Sequence, residues 1–281
     1  MEWQMRGSSL DFTRSGQLMG ILNVTPDSFS DSGSFLDFAA AMAHARRLIA
    51  EGAAVIDVGG ESSRPGSDPV SLEEELRRVL PVIRALHGEY PHQLISIDTY
   101  KAETARQALD AGASIVNDIS ALRADPQMAA VVRRYGAGVI LMHMQGTPKT
   151  MQRAPRYDDV VSEVIRFLRE RRDGAIAAGI EPGCIALDPG FGFGKNLAHN
   201  LALLRSAGQL RSLDRPLVAG ISKKSTLARL LGDPGLAMSE RVWPGVAFTS
   251  YLREHGIKLL RVHEIKPHLE ALRMTEAILA G

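Results

Sequence analysis

The sequence predicts an α/β fold, a (β/α)8 TIM barrel with a short extra element at the N-terminus. Two observations predict it. Short β-branched runs alternate with helical stretches along the chain, the pattern of a parallel sheet covered by its crossover helices. Asp57, Asp98, Asn117, Asp188 and Arg261 each stand at or just past the carboxyl end of one such run, and barrel closure gathers strand ends around one mouth, where enzymes of this architecture do their chemistry.

The elements follow in order. Residues 18–24 form the first barrel strand, and the stretch before them an extra element at the barrel floor. A helix over 38–50 ends at Gly52 and precedes the Val55 strand. Ser71-Leu72-Glu73-Glu74 is a capping box opening a helix with Leu72, Leu76, Val79, Leu80 and Ile83 on one face, kinked at Pro81. Next come the Leu94 strand with a helix over 101–111, the Ile115 strand with a helix over 126–135, and a 138–142 strand with a long helix over 158–178 stopped by Gly179. The Ile185 strand precedes a helix over 201–210, and the Leu217 strand is followed by one helix to Leu231 and another ending near His255. A strand over 258–262 and a helix over 267–279 close the chain, making about eight strand and helix pairs in one domain, 1–281.

The 281 residues suit one barrel, the 45% hydrophobic fraction supplies a core, and no low-complexity linker divides the chain. Lys+Arg 33 against Asp+Glu 32 gives no global basic field, so a nucleic-acid partner is disfavoured and any anion is bound locally. The lone Cys184 excludes a disulfide framework and reads as core packing in a reducing compartment. Met1 to Gly16 is mixed and polar, and no apolar run is long enough for a bilayer, so a cytoplasmic chain with no membrane partner is expected.

Several strand ends carry chemistry beside a plainer structural role. The Asn23-Val24-Thr25-Pro26-Asp27-Ser28 segment is an oxygen-rich loop that could hold Mg²⁺ through one or two protein oxygens, although ordinary loops use the same residues. Gly59-Gly60-Glu61-Ser62-Ser63-Arg64-Pro65-Gly66 puts an arginine among glycines, suited to an anion and to a loop that closes over ligand. Asp98, Asn117 and Asp188 are acceptor-rich groups on one rim; each could cap a helix, but three together favour a shared ligand. Asp188 through Lys195 lacks the Ser or Thr that Walker spacing requires and reads as a flexible loop with an aromatic lid. Ser222-Lys223-Lys224-Ser225 opens a helix with two ammonium groups, and Arg261-Val262-His263 points two basic side chains to one face. The remaining histidines, His44, His87, His92, His199, His255 and His268, are expected at the surface.

Taken in order, 20–29, 57–66, Asn117-Asp118-Ile119-Ser120, Met142-His143-Met144-Gln145-Gly146-Thr147-Pro148, 188–195, 222–225 and Arg261-Val262-His263 resemble the dihydropteroate synthase family. The resemblance implies condensation of 6-hydroxymethyl-7,8-dihydropterin diphosphate with 4-aminobenzoate, giving dihydropteroate and pyrophosphate, with Mg²⁺ on the diphosphate and a homodimeric protein. Carried over position by position, it implies pterin contacts from Asp98, Asn117, Asp188 and Lys224, with Ile119, Met142 and Gly220 shaping the slot. It assigns the diphosphate to Asn23 through the metal and to Arg64, Arg261 and His263. Ser63, Pro65, Phe193 and Ser225 would border the aminobenzoate, and Asp98, Lys224, Arg261 and His263 would carry the catalysis.

Three departures stand out. Lys223 replaces the family's usual Arg and cannot reproduce a planar bidentate contact, Ser63 replaces Thr, and Trp243-Pro244-Gly245 replaces a run of small residues near the family's dimer contact. Two rival functions remain at this level. A pterin-dependent methyltransferase, moving a methyl from a methylated folate to a cobalt corrinoid, would need the pterin groups but not the cluster of Arg64, Arg261 and His263. A non-catalytic pterin-binding paralogue is disfavoured by the presence of Asn23, Asp98, Lys224 and Arg261 together.

Overall fold

The computed structural model describes residues 1–25, 33–220, 222 and 224–280, without the side chains of 33–37 and 225. The Pro26-Asp27-Ser28 turn and Lys223 therefore lie outside the described residues, as does the Ser225 side chain. An antiparallel hairpin, β1 (Glu2–Met5) and β2 (Ser8–Asp11), precedes eight barrel strands. These are β3 (Gln17–Asn23), β4 (Val55–Gly59), β5 (Leu94–Asp98), β6 (Ile115–Asp118), β7 (Gly138–Met142), β8 (Ile185–Asp188), β9 (Val218–Gly220) and β10 (Leu259–Val262). All neighbours are parallel in the order β8-β7-β6-β5-β4-β3-β10-β9. One parallel bridge, Leu187 to Leu217, and the Leu187 N–H donating to Pro216 O at 2.9 Å join the two ends, so the barrel is nearly closed.

Alternation along the strands sorts the interior into layers, because successive side chains point to opposite faces. Met19, Val55, Ile115, Ile140, Ala186, Val218 and Leu259 pack with Trp3, Met5 and Phe12 into an apolar floor. The extra N-terminal element expected at the floor is thus the hairpin. Fully buried Trp3 seals it and donates its indole N–H to Cys184 O at 2.7 Å. Outward-facing residues such as Ile56, Val58, Ile95, Ile97, Val116 and Leu260 form the larger core between sheet and helices. Both strand faces are covered, so the strands read as continuous apolar runs rather than as alternating ones.

The helices are α1 (Gly33–Ala50), α2 (Leu72–Glu89), α3 (Ala102–Asp110), α4 (Met128–Tyr135), α5 (Val160–Ala177), α6 (Leu197–Arg205), α7 (Ser225–Leu230), α8 (Val242–Glu254) and α9 (Ile265–Ala280). Ser71 caps α2 by accepting the Glu74 N–H at 3.2 Å, but only half of the expected capping box forms, because the Glu74 carboxylate accepts from Arg77 and Arg78 instead. Pro81 sits on the exposed side of α2, where its missing N–H interrupts no buried contact, and the helix runs through it. The helix expected over 201–210 is instead α6 followed by a 3-10 segment, Ala207–Leu213. Among the described residues, no helix is long and apolar enough to cross a membrane.

His268 is not a surface residue. It is fully buried in α9, with Nδ1 2.7 Å from the Thr249 hydroxyl on α8 and Nε2 without a hydrogen-bond partner. Burial lowers its pKa to about 4. The unfolded chain, with an ordinary histidine near 6.5, therefore binds a proton before the folded one does. We expect stability in urea to be full above about pH 6.5 and to fall as pH drops toward 4, by roughly 3 kcal/mol, with that slope lost in His268→Phe.

Candidate active site

Two residues above each floor side chain comes a residue that faces the mouth. Val55 leads to Asp57, Ile115 to Asn117, Ile140 to Met142, Ala186 to Asp188, Val218 to Gly220 and Leu259 to Arg261; Leu94 leads to Ser96 and then Asp98. Strand periodicity thus stacks a polar layer directly on an apolar one.

The Arg261 guanidinium joins that layer. Its Nε–H donates to Asp57 Oδ2 at 2.6 Å and its Nη2 to Asp98 Oδ2 at 2.7 Å, while Asn117 Nδ2 donates to the same Asp57 oxygen at 3.1 Å. Four strands are tied at one level. Asp57 is fully buried, and its Oδ1 and the hydroxyl of Ser96, its register neighbour on β5, have no hydrogen-bond partner. Among the described residues, polar capacity in this layer is therefore unsaturated. Removing the guanidinium would strand two carboxylates beneath the mouth, a change of the kind that costs about 3–5 kcal/mol.

Burial raises Asp98 to about 7, against the pull of Arg261 and with help from neighbouring Asp57. Burial also raises Asp188, opposed by Lys224. Lys224 is lowered by burial to about 8, with Asp188 opposing. None of Asp98, Asn117 and Asp188 caps a helix; the N-cap positions of the next helices fall to Lys101, Gln127 and Asn196. Each has a partner within the protein instead: Asp98 accepts from Arg261, Asn117 donates to Asp57, and Asp188 accepts from the Gly190 N–H.

Lys224 occupies the N-cap position of α7 but turns its ammonium group to Phe191 O and over the Phe193 ring, 4.6 Å from the centroid. The loop it touches, 189–195, is not the flexible lid its glycines suggested. Gly190, Gly192 and Gly194 have φ of 64°, 83° and 61°, and a Cβ on Gly190 would lie 1.9 Å from His143 O. The glycines are there for left-handed backbone and close approach. The Gly190 N–H donates to Asp188 Oδ1 at 2.7 Å and the Gly192 N–H to Asn200 Oδ1 at 2.8 Å, so the loop is fixed to the strand end and to α6.

An apolar wall completes the mouth, with Ile119, Met142, Met144 and Met151 packed against Tyr100 and Phe193. Ile119 is held by a turn in which Ala121 and Leu122 take φ of 54° and 62°. Such strain persists only when surroundings over-determine it. Here the Asp118 carboxylate accepts from the Ser120 and Leu122 N–H groups, both at 2.7 Å.

The loop after β4 is anchored at one residue. The Glu61 carboxylate accepts from the Tyr100 hydroxyl, from Lys101 Nζ at 2.5 Å and from the Val70 N–H at 3.2 Å, closing the loop on itself and on the β5 end. Beyond that anchor Ser63 is half-buried, while Arg64 and Pro65 are exposed and Arg64 rests against the Met238 sulfur at 3.9 Å. Arg64 is therefore not gathered with Arg261. His263 lies one turn of the strand pattern above Arg261 and pairs through Nδ1 with the Ser222 hydroxyl at 3.1 Å. Asn23 Oδ1 and Asp98 Oδ2 flank Gly59, 3.6 Å and 3.8 Å from where its Cβ would stand.

Two residues without a sequence-assigned role belong to the centre. Asp57 carried a signal, a carboxylate in the middle of a strand that must be buried on both faces. Lys195 is 2% exposed beneath the glycine loop, and only its failed Walker spacing had drawn notice.

The comparisons with known proteins agree with this geometry. Residues 19–263 match the family described as pterin binding enzyme. Dihydropteroate synthase of Escherichia coli (strain K12) is 45% identical over 276 residues, covering 98% of this chain and 96% of the relative. Xanthomonas albilineans dihydropteroate synthase solved with 4-aminobenzoic acid is 43% identical with a TM-score of 0.92, covering 100% of this chain and 98% of that one. The same organism's enzyme in complex with 7,8-dihydropteroate is 40% identical, with a TM-score of 0.89 and 100% of both chains covered. Matched over nearly its full length in sequence and in fold, the chain belongs to the dihydropteroate synthase family of pterin-binding enzymes.

Proposed function

We propose that the protein condenses 6-hydroxymethyl-7,8-dihydropterin diphosphate with 4-aminobenzoate to give 7,8-dihydropteroate and pyrophosphate. The observation that carries this reading is the polar layer in which Asp98, Asn117, Asp188, Lys224 and Arg261 meet below the Ile119 and Met142 wall. A flat aminopyrimidinone ring presents N–H donors along one edge and apolar faces above and below, and that layer and wall complement both. Asp98, Asn117 and Asp188 accept ring N–H groups, Lys224 donates, and Gly220 leaves room beside Arg261.

Two of the five guanidinium N–H donors of Arg261 go to carboxylates, and the others can meet the diphosphate together with His263; the exposed Arg64 side chain would have to leave its Met238 contact to join them. In the reaction the C–O bond to diphosphate breaks with its electron pair leaving on oxygen. The resulting cation is delocalised into the dihydropterin, where ionised Asp98 stabilises it. The neutral arylamine nitrogen then bonds to the exocyclic carbon and sheds a proton to water. Ser63, Pro65, Phe193 and Ser225 border the arylamine, and no strong base is required.

Among the described residues no cluster of three His, Cys, Asp or Glu side chains is built to hold a metal. The single amide oxygen of Asn23 beside Asp98 suits Mg²⁺ that arrives largely ligated by diphosphate and water, a habit of that ion. Bound there, Mg²⁺ would neutralise leaving-group charge. A cytoplasmic location accords with the unpaired Cys184.

The same reading includes a homodimer. Of the eight large apolar side chains exposed among the described residues, Leu231, Met238, Trp243, Met274, Ile278 and Leu279 lie in the last quarter of the chain, around α8 and α9. That concentration supports an association surface in this part of the chain.

Three outcomes test these statements. Purified protein should release pyrophosphate from the pterin diphosphate only when 4-aminobenzoate and Mg²⁺ are supplied; methyl transfer to a corrinoid without pyrophosphate release would support the methyltransferase rival instead. Calorimetric affinity for a phosphate-free pterin should weaken as pH falls through about 7, as Asp98 gains its proton, and Asp98→Asn should bind weakly with no such dependence. Trp243→Asp should shift sedimentation from dimer toward monomer, and an unchanged dimer would place the interface elsewhere.

A further inference from the structure

Every carbonyl from Gly190 through Gly194 is taken by a side chain. Gly190 O and Phe193 O accept from Lys195 Nζ at 2.8 Å and 3.1 Å, Phe191 O accepts from Lys224, Gly192 O from Gln152 Nε2 at 2.6 Å, and Gly194 O from the Tyr157 hydroxyl at 2.8 Å. Lys195 alone holds two of them, reaching back beneath its own loop, and its third neighbour is His143 Nδ1 at 2.9 Å. This amine is buried, and among the described residues it contacts two carbonyls and an imidazole rather than a carboxylate, the setting of a structural clamp.

We infer that Lys195 is a positioning residue for the arylamine: by pinning the carbonyls of Gly190 and Phe193 it fixes the Phe193 ring as one wall of the aminobenzoate site. The inference rests on the proposed reaction. Phe193 is half-buried, packs on the Ile119 and Met142 wall, and sits under Lys224, so its ring joins the pterin groups to the outer loops. Backbone on both sides of that ring is pinned by the same nitrogen. The arrangement also tolerates either charge on the lysine. A cationic Lys195 donates three times, with His143 accepting at Nδ1; a neutral Lys195 donates to the two carbonyls and accepts from an Nδ1–H tautomer. Burial disfavours charge on both partners, lowering Lys195 well below its usual range and His143 to about 2. The clamp is thus insensitive to pH across the neutral range, as a positioning element should be.

The test is steady-state kinetics of Lys195→Met, Phe193→Ala and the double variant. Lys195→Met should raise KM for aminobenzoate roughly tenfold, the order expected when a binding loop must be immobilised on association. Its KM for pterin diphosphate should stay within about twofold, since Asp188, Asn117 and Lys224 remain. In the Phe193→Ala background the same change should add nothing, because a residue that acts through the ring has no effect once the ring is gone. Equal rises in both KM values, or additive penalties, would overturn the inference. Should Lys195→Met not fold, Tyr157→Phe removes one hydroxyl from Gly194 O and should raise the aminobenzoate KM alone by about twofold to threefold; no change there would equally count against a pinned loop. Wild-type protein that released no pyrophosphate would refute the proposed reaction itself, whereas normal wild-type turnover with unchanged KM in Lys195→Met would refute only the role of Lys195.

Discussion

Arg261 lies between two buried carboxylates, and most of the site depends on that contact. Asp57 sits fully inside the barrel, where an isolated carboxylate would be too costly to keep ionised. The guanidinium makes it tolerable by reaching across from β10 to β4, and with its other arm it sets the level of Asp98 on β5. Asn117, bonded to the same Asp57 oxygen, takes its position from this pair in turn. Side chains from four strands are therefore held in one geometry by contacts among themselves, the kind of preorganisation that electrostatic catalysis draws on. Replacing such ionic contacts with packed apolar groups could leave the barrel as stable. Stability alone therefore does not explain the ionic groups at this level, whereas the apolar floor below them serves the fold.

Much of this was legible in the sequence because barrel strands obey a period of two. Once Val55, Ile115, Ile140, Ala186, Val218 and Leu259 are recognised as floor residues, the residues two positions on must face the mouth. The strand bounds at Gly138–Met142 and the helix end at Gly179 were readable for the same local reasons, strand periodicity and a left-handed stop. What escaped was tertiary. His268 reads as a polar residue in an amphipathic helix, and nothing local announces the Thr249 hydroxyl that α8 brings to it. The 3-10 segment Ala207–Leu213 was absorbed into a helix because its apolar spacing suits either form.

Glycine is the harder residue to interpret from sequence. In a sequence, Gly190, Gly192 and Gly194 suggest freedom, since glycine has the most to lose on ordering. In the fold they are the residues that let the chain pass against His143 and Gln145 with φ near 60–80°, and every carbonyl that passage exposes has a donor. Composition records conformational permission; only the partners decide whether the permission is used for motion or for a shape other residues cannot adopt. Those partners come from three stretches of chain: the loop's own Lys195, Gln152 and Tyr157 from the connection before α5, and Lys224 at the start of α7.

Among the described residues the barrel is held shut at one place by a single bridge, Leu187 to Leu217, where every other strand pair shares at least three register positions. Asp188 stands on one side of that seam, and Gly220 and Lys224 on the other. A planar ligand gripped by both Asp188 and Lys224 would lie across the seam as a cross-piece, making the rungs that β8 and β9 do not make for themselves. A molecule that binds only the folded barrel stabilises it as its site saturates, and one held in this way would deliver that gain at the thinnest joint described in the wall.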